Sequence, residues 1–196
     1  MLKLLQKELP TAKWIVKDNQ KTLLSKCKEI TLPLNQSDEL IMQKLIDWVR
    51  ASQDEKLNQT HEMTEAIGIA APQIGANINM YYILVPIFDE KNQKTNYFEH
   101  ALINPKIIAH SKQIAVLKHG EGCLSVDKKH QGFVPRSYKI HVTGYDYLKK
   151  KEINLIARGY EAIVFQHEQD HLEKHLYYHH INKNNPWLKE ANWIII

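Results

Sequence analysis

The sequence predicts an α+β domain, with mostly antiparallel sheets around one central, late helix. Three observations carry the prediction. Continuous or alternating apolar runs recur through the middle of the chain, as they do in strands. Helical spacing of apolar residues is confined to one early and one late segment. No repeat, low-complexity block or linker divides the 196 residues, which suits a single domain over 1–196.

Taken in order, the first helical pattern begins at Ser37 and is expected to reach about Leu57. Asp38 and Glu39 favour its first turn, where unpaired N–H groups attract negative charge. Ile41, Leu45, Trp48 and Val49 then share one face, that of a packing helix. Glu62–Gly75 is a segment rich in Gly, Ala and Pro. Met80–Ile87 follows as a buried strand and Asp89–Asn96 as a polar turn. Ala101–His110 and Ile114–Lys118 are further strands, with Asn104-Pro105 as punctuation. In Tyr138–Tyr145, Ile140 and Val142 fall on one side and Lys139 and His141 on the other. Glu152–Ala157 is a short strand. Gly159 precedes a helix over about Glu161–His175, and Trp193–Ile196 is a last strand docking on a sheet edge.

Composition excludes several classes. The apolar fraction is 43% and the charged fraction 24%, so neither disorder nor a fibrous fold is expected. Met1–Lys13 lacks the apolar run and cleavage site of a signal peptide. No apolar run reaches the roughly 18 residues of a membrane span. Cys27 and Cys123 read as reduced thiols rather than a disulfide, and a cytoplasmic location is expected. The net charge of +4 suits weak association with an anionic particle and does not by itself indicate nucleic-acid binding.

One motif carries chemistry. Gln166-His167-Glu168-Gln169-Asp170-His171 contains HExxH. Histidines four apart on a helix lie on one face, about 6 Å apart along the axis. Both imidazoles then reach one metal at about 2 Å. Glu168, next to His167, can approach a water there as general base. Chance is the competing reading, strengthened by 11 histidines in the chain. Asp170 is either an acceptor behind a ligand histidine or an exposed helix residue. A catalytic site needs a third ligand. Glu173, His175, His179 and His180 are downstream candidates. Cys123, in Glu121-Gly122-Cys123-Leu124-Ser125, is the upstream one; a small buried core residue is its bland alternative.

Three segments together resemble the peptide deformylase family, in order and spacing. They are Gly68-Ile69-Ala70-Ala71-Pro72-Gln73-Ile74-Gly75, Glu121-Gly122-Cys123-Leu124-Ser125 and Gln166-His167-Glu168-Gln169-Asp170-His171. Ile103-Asn104-Pro105 and Val134-Pro135-Arg136 also fit, so the resemblance covers most of the chain. The stretch before the first segment, and Val126-Asp127, resemble the longer class typical of Gram-positive bacteria and their relatives.

The resemblance implies a peptide deformylase-like fold and an enzyme that removes the formyl group from the N-terminal formyl-methionine of new polypeptides. It implies Cys123, His167 and His171 as ligands of one ion per chain. That ion is Fe(II) in the cell, with Zn, Ni or Co able to replace it. A metal-activated water is the nucleophile, and Glu168 takes a proton from it and returns one to the leaving amine. The Gln73 side-chain amide and the Leu124 backbone N–H become the oxyanion donors. The peptide is bound like an added strand along Ile67, Gly68 and Gly122. Tyr160, Ile163 and Val164 line a methionine slot beside Leu124, with plain core packing as the alternative for each. Glu121 and Arg136 are expected to pair and steady the second segment. Partners are formyl-Met nascent peptides and, through the mild positive charge, the ribosome; DNA, membrane and stable oligomers are not expected.

The sequence also departs from the family. Ala66 replaces a usual Gly and Ile69 a usual Leu. Lys174 or His175 occupies the place of a usual Gly after the helix. His179-His180 stands where an acidic residue and Arg or His are common, and both read as exposed rather than as a second metal site. Two rival readings stay open at this level: a zinc peptidase with a downstream third ligand, and a binding protein that keeps the fold without activity.

Overall fold

In the computed structural model, residues 3–61 and 63–196 are described; the parts of the signal-peptide and Gly/Ala/Pro readings that fall on residues 1, 2 and 62 lie outside them. The early helical pattern forms two helices rather than one, α1 (Gln36–Ser52) and α2 (Glu55–His61). Asn35 caps α1 by accepting from the Asp38 N–H at 2.9 Å. The break has a local cause. The Asp54 carboxylate accepts from the N–H groups of Lys56 and Leu57, a fresh cap that starts a second helix. The Gln53 amide is turned aside to the carbonyls of Ala66 and Leu84.

A five-stranded antiparallel sheet follows: β1 (Gly68–Ala70), β2 (Met80–Asp89), β3 (Lys94–His110), β6 (Lys139–Asp146) and β7 (Lys151–Arg158), in the order β1-β2-β3-β6-β7. A smaller sheet holds β4 (Ile114–Val116), β5 (Arg136–Ser137) and β8 (Ile194–Ile195) in the order β5-β4-β8. The C-terminal strand docks on an edge as expected, and its pairing with β4 is parallel. β1 and β5 were not legible as strands, since two or three residues carry no periodicity, and β3 starts at Lys94, within the stretch expected as a polar turn and before the expected start at Ala101.

The apolar run in β2 is explained by helices on both sides of the sheet. Met80, Tyr82 and Leu84 pack towards α1 with Leu45 and Trp48. Tyr81, Ile83 and Val85 alternate to the other face, against α3 (Gly159–Leu172) and its Phe165. Tyr81 and Phe98 both meet Phe165 edge-on, with ring centroids at 6.1 and 5.8 Å. Asn104 does not end β3. It takes a positive φ of 48° and forms a bulge, while its side chain bonds both backbone groups of Ile30.

The late helix α3 is shorter than its apolar pattern suggested. It stops at Leu172 because Lys174 adopts a left-handed φ of 61°, and the His175 N–H then closes back on the Asp170 carbonyl at 2.8 Å. The lysine thus occupies the position for which glycine is the ordinary residue.

Candidate active site

Among the described residues, Cys123, His167 and His171 form the one His/Cys/Asp/Glu group whose ligand atoms could share an ion, all within 4.8 Å of one another. Cys123 Sγ lies 3.4 Å from His171 Nε2. Ligands about 2.0–2.3 Å from a tetrahedral ion stand about 3.5 Å apart, so the set fits a metal in spacing as well as in chemistry. The downstream candidates do not converge. His175, His179 and His180 are exposed beyond the end of α3, and Glu173 accepts instead from Gln169 Nε2 at 3.0 Å.

The helix carrying the histidines is held from outside. Gln166 bonds both backbone groups of Ser137 at 2.9 Å, as if extending β5. The adjacent Arg136 reaches the other way. Its guanidinium donates twice to the Glu121 carboxylate, at 2.9 and 3.0 Å, and once to Asp170 at 2.6 Å. Glu121 also accepts from His167 Nδ1 at 2.8 Å. A carboxylate only accepts, so the proton stands on Nδ1 and Nε2 is left to face Cys123. The expected Glu121–Arg136 pair is therefore present and does more than steady a loop. Asp170 takes neither expected role: it accepts from Arg136 and, at 2.7 Å, from His180, while Glu121 stands behind the histidine.

The electrostatics follow from this placement. Burial opposes ionisation of the Cys123 thiol, but His171 and His167 outweigh it and bring it down to about 5. Burial likewise opposes the Glu121 carboxylate, which Arg136 and His167 hold at about 2. Glu168 goes the other way: burial raises it to about 7 against the pull of both imidazoles. A carboxyl group poised there can take and return a proton near neutral pH. Glu168 Oε2 and His171 Nδ1 are buried without a hydrogen-bond partner.

Glu168 is seated by a glycine. A Cβ on Gly68 would stand 2.5 Å from Glu168 Oε1 and 2.9 Å from its Cδ. Only a residue without a side chain lets the carboxylate lie against β1. The Ile67 carbonyl accepts from the Leu84 N–H at 2.8 Å, so alternation turns the Gly68 backbone outward on an edge strand. Gln73 is oriented by the Ala70 N–H, which its Oε1 accepts at 2.8 Å. The Nε2 group then points to Cys123 Sγ and Ser125 Oγ, each at 3.4 Å.

A cavity of about 500 Å³ brings the predicted residues together. Ile67, Gly68, Gln73, Gly122, Cys123 and Leu124 line it from one side, and Tyr160, Ile163, Val164, His167 and Glu168 from the metal helix. Ala66 also lines it, so the departure at that position faces the groove, whereas Ile69 is fully buried behind it. Tyr177 was missed in the sequence: its ring lies parallel to that of His167, with centroids at 6.2 Å, and its hydroxyl accepts from the His130 N–H. Nothing in the local pattern Leu176-Tyr177-Tyr178 marks it.

Residues 12–187 match the model of the family described as polypeptide deformylase. The chain belongs to this family. Peptide deformylases of Mycoplasma genitalium and Pediococcus pentosaceus are 40% and 41% identical to it, over 95% and 93% of this chain and 93% and 96% of theirs. A crystal structure of a probable peptide deformylase from Synechococcus phage S-SSM7 superposes with a TM-score of 0.65 at 29% identity, covering 85% of this chain and 98% of that one. Membership makes the chain a metal-dependent hydrolase that removes the N-terminal formyl group from newly made polypeptides. No helix is long and apolar enough to cross a membrane among the described residues.

Proposed function

We propose that deformylation proceeds in this cavity, with Cys123, His167 and His171 holding one metal ion and Glu168 handling the protons. The observation that carries the reading is the convergence of a low-pKa thiol, two imidazoles and a buried carboxyl group on one groove. One thiolate and two imidazoles suit Fe, Zn or Ni; Fe(II) is the ion we assign in the cell, with Zn, Ni or Co able to occupy the same residues. A bound cation supplies Lewis acidity, which brings the pKa of a water near neutrality.

The protein groups do the rest. The peptide lies along β1, using backbone at Ile67, Gly68 and Gly122, and its methionine side chain enters the slot of Tyr160, Ile163 and Val164. Glu168 accepts a proton from the attacking water. As the formyl carbon becomes tetrahedral, its oxygen gains charge, and the Gln73 Nε2 and Leu124 N–H groups donate to it. Glu168 then protonates the departing amine. Glu168 and Gln73 are buried, where such interactions are stronger than in water.

The test is hydrolysis of a formyl-Met peptide by anaerobically prepared, iron-loaded protein. Turnover that drops about 10²–10⁴-fold in Glu168→Ala, with metal content retained, supports the reading. No turnover by the unmodified protein would sink it. The same chain is expected to work as one catalytic domain, as a monomer, in the cytoplasm. Its net charge of +4 suits a ribosome contact, which the lack of salt-sensitive co-sedimentation would refute.

A further inference from the structure

We propose that the segment Val16–Asp18 is a spacer that sets Gln73 against Leu124, with Lys17 and Asp18 as positioning residues for the reaction. The inference rests on the oxyanion roles just assigned to Gln73 and Leu124. The Val16 N–H donates to the Gln73 carbonyl at 2.8 Å. Two residues on, the Asp18 N–H donates to the carbonyl of Ser125, the neighbour of Leu124, at 2.9 Å. Two residues of chain span no more than about 7 Å. The first and second family segments therefore hang on one short piece of backbone.

The side chains tighten this arrangement. Lys17 Nζ donates to the Leu124 carbonyl at 3.3 Å and to Asp127 at 2.7 Å. The Asp18 carboxylate accepts from the Tyr178 hydroxyl at 3.3 Å, which ties the segment to the turn after the metal helix. Three consecutive residues thus touch the chain around all three family segments. Such a device has a physical reason. Gln73 lies in a single 3-10 turn, Ala71–Ile74, and Leu124 in an irregular loop, so no shared ladder fixes their separation. Two donors stabilise one developing charge only when both point at it, and a misplacement of about 1 Å can cost 10²-fold in rate.

Lys17 and Asp127 are exposed, with 46% and 76% of their side chains accessible, so their pair adds little to stability and its removal leaves a folded protein. The experiment uses the whole metal-loaded chain and the variants Lys17→Met, Asp18→Ala, Asp18→Asn and Gln73→Leu. Lys17→Met is expected to lower kcat about 5–20-fold with KM changed by less than about twofold. Metal content and Tm stay unchanged, and the Gln73 side-chain amide signals shift in a ¹H–¹⁵N NMR spectrum of the zinc-loaded protein. Asp18→Asn, which keeps an acceptor for Tyr178, retains more activity than Asp18→Ala. In the Gln73→Leu background Lys17→Met adds much less than its loss in the unmodified protein, because with one of the two donors gone their separation no longer matters.

Multiplicative losses in that double variant would overturn the proposal, as would a rise in KM alone, which would make Lys17 a substrate contact. An unmoved Gln73 amide signal would also overturn it. The arms separate the two readings: full activity of Gln73→Leu removes the oxyanion role, while the amide shift still reports whether the segment positions Gln73. If Asp18→Ala fails to fold, Lys17→Met decides.

Discussion

His167 and His171 lie four residues apart, and so do His171 and His175, yet only the first pair converges with Cys123. The difference lies in where the helix ends. Lys174 turns left-handed and carries His175 off the axis, into solvent beside His179 and His180. His167 also has what His175 lacks: a thiol facing it and a buried carboxylate behind it. Spacing makes a metal site available, and the surrounding charges select which histidines form it.

The comparison is broken most completely at the thiol. Cys123→Ala is expected to lose bound metal and activity together, whereas His175→Ala keeps both; metal analysis by mass spectrometry of the two purified variants reads this directly. The reverse pattern would restore the peptidase reading with a downstream ligand. The next effect is steric. Gly68→Ala puts a methyl group where Glu168 Oε1 lies and should lower kcat by about 10²-fold with metal content unchanged. Steady-state kinetics beside a metal assay separate this variant from a ligand loss.

The buried charges behind His167 give a stability effect. Arg136→Met leaves Glu121 and Asp170 without their shared partner and should cost about 3–5 kcal/mol in denaturant unfolding. The pH dependence has a definite sign. Glu121 sits at about 2 when folded, against an ordinary 4.5, so the unfolded chain binds its proton first. Its contribution is fully present above about pH 4.5 and is lost as the pH falls towards 2; Asp170, also lowered, acts in the same direction. Acid unfolding followed by circular dichroism should show a shallower dependence in Arg136→Met.

The smallest effect belongs to the second histidine group. His179 Nδ1 accepts from the Leu176 N–H at 3.1 Å, as a side-chain oxygen would at this turn. His179→Ala should cost only about 0.5–1.5 kcal/mol, with kcat unchanged. A large loss of activity there would mean that the exposed histidines join the reaction after all.

Much of the site was legible because its chemistry is local. HExxH needs only one helix, and the glycines at 68 and 122 are visible as residues. The strands were legible wherever one face is wet, as in β6, where Ile140 and Val142 are buried and Lys139 is exposed. Less was legible where the decisive contact is distant. The seat of the Gln53 amide depends on carbonyls of Ala66 and Leu84, and the role of Glu121 on a histidine 46 residues away. Tyr177 and the segment Val16–Asp18 carry no motif, because what they do is hold other residues.

By itself, the sequence determined the α+β class, the helix that bears His167, Glu168 and His171, and the family of the chain, since periodicity and motif spacing are properties of neighbouring residues. Tertiary structure brought Cys123, already implied by the resemblance, within reach of His167 and His171 and left the downstream histidines apart. It also decided that Glu121 rather than Asp170 orients His167, and that Gly68 must lack a side chain for Glu168 to fit. Each of these is a distance between segments far apart in the chain, set by how the sheet and the helix pack, and no local pattern encodes it.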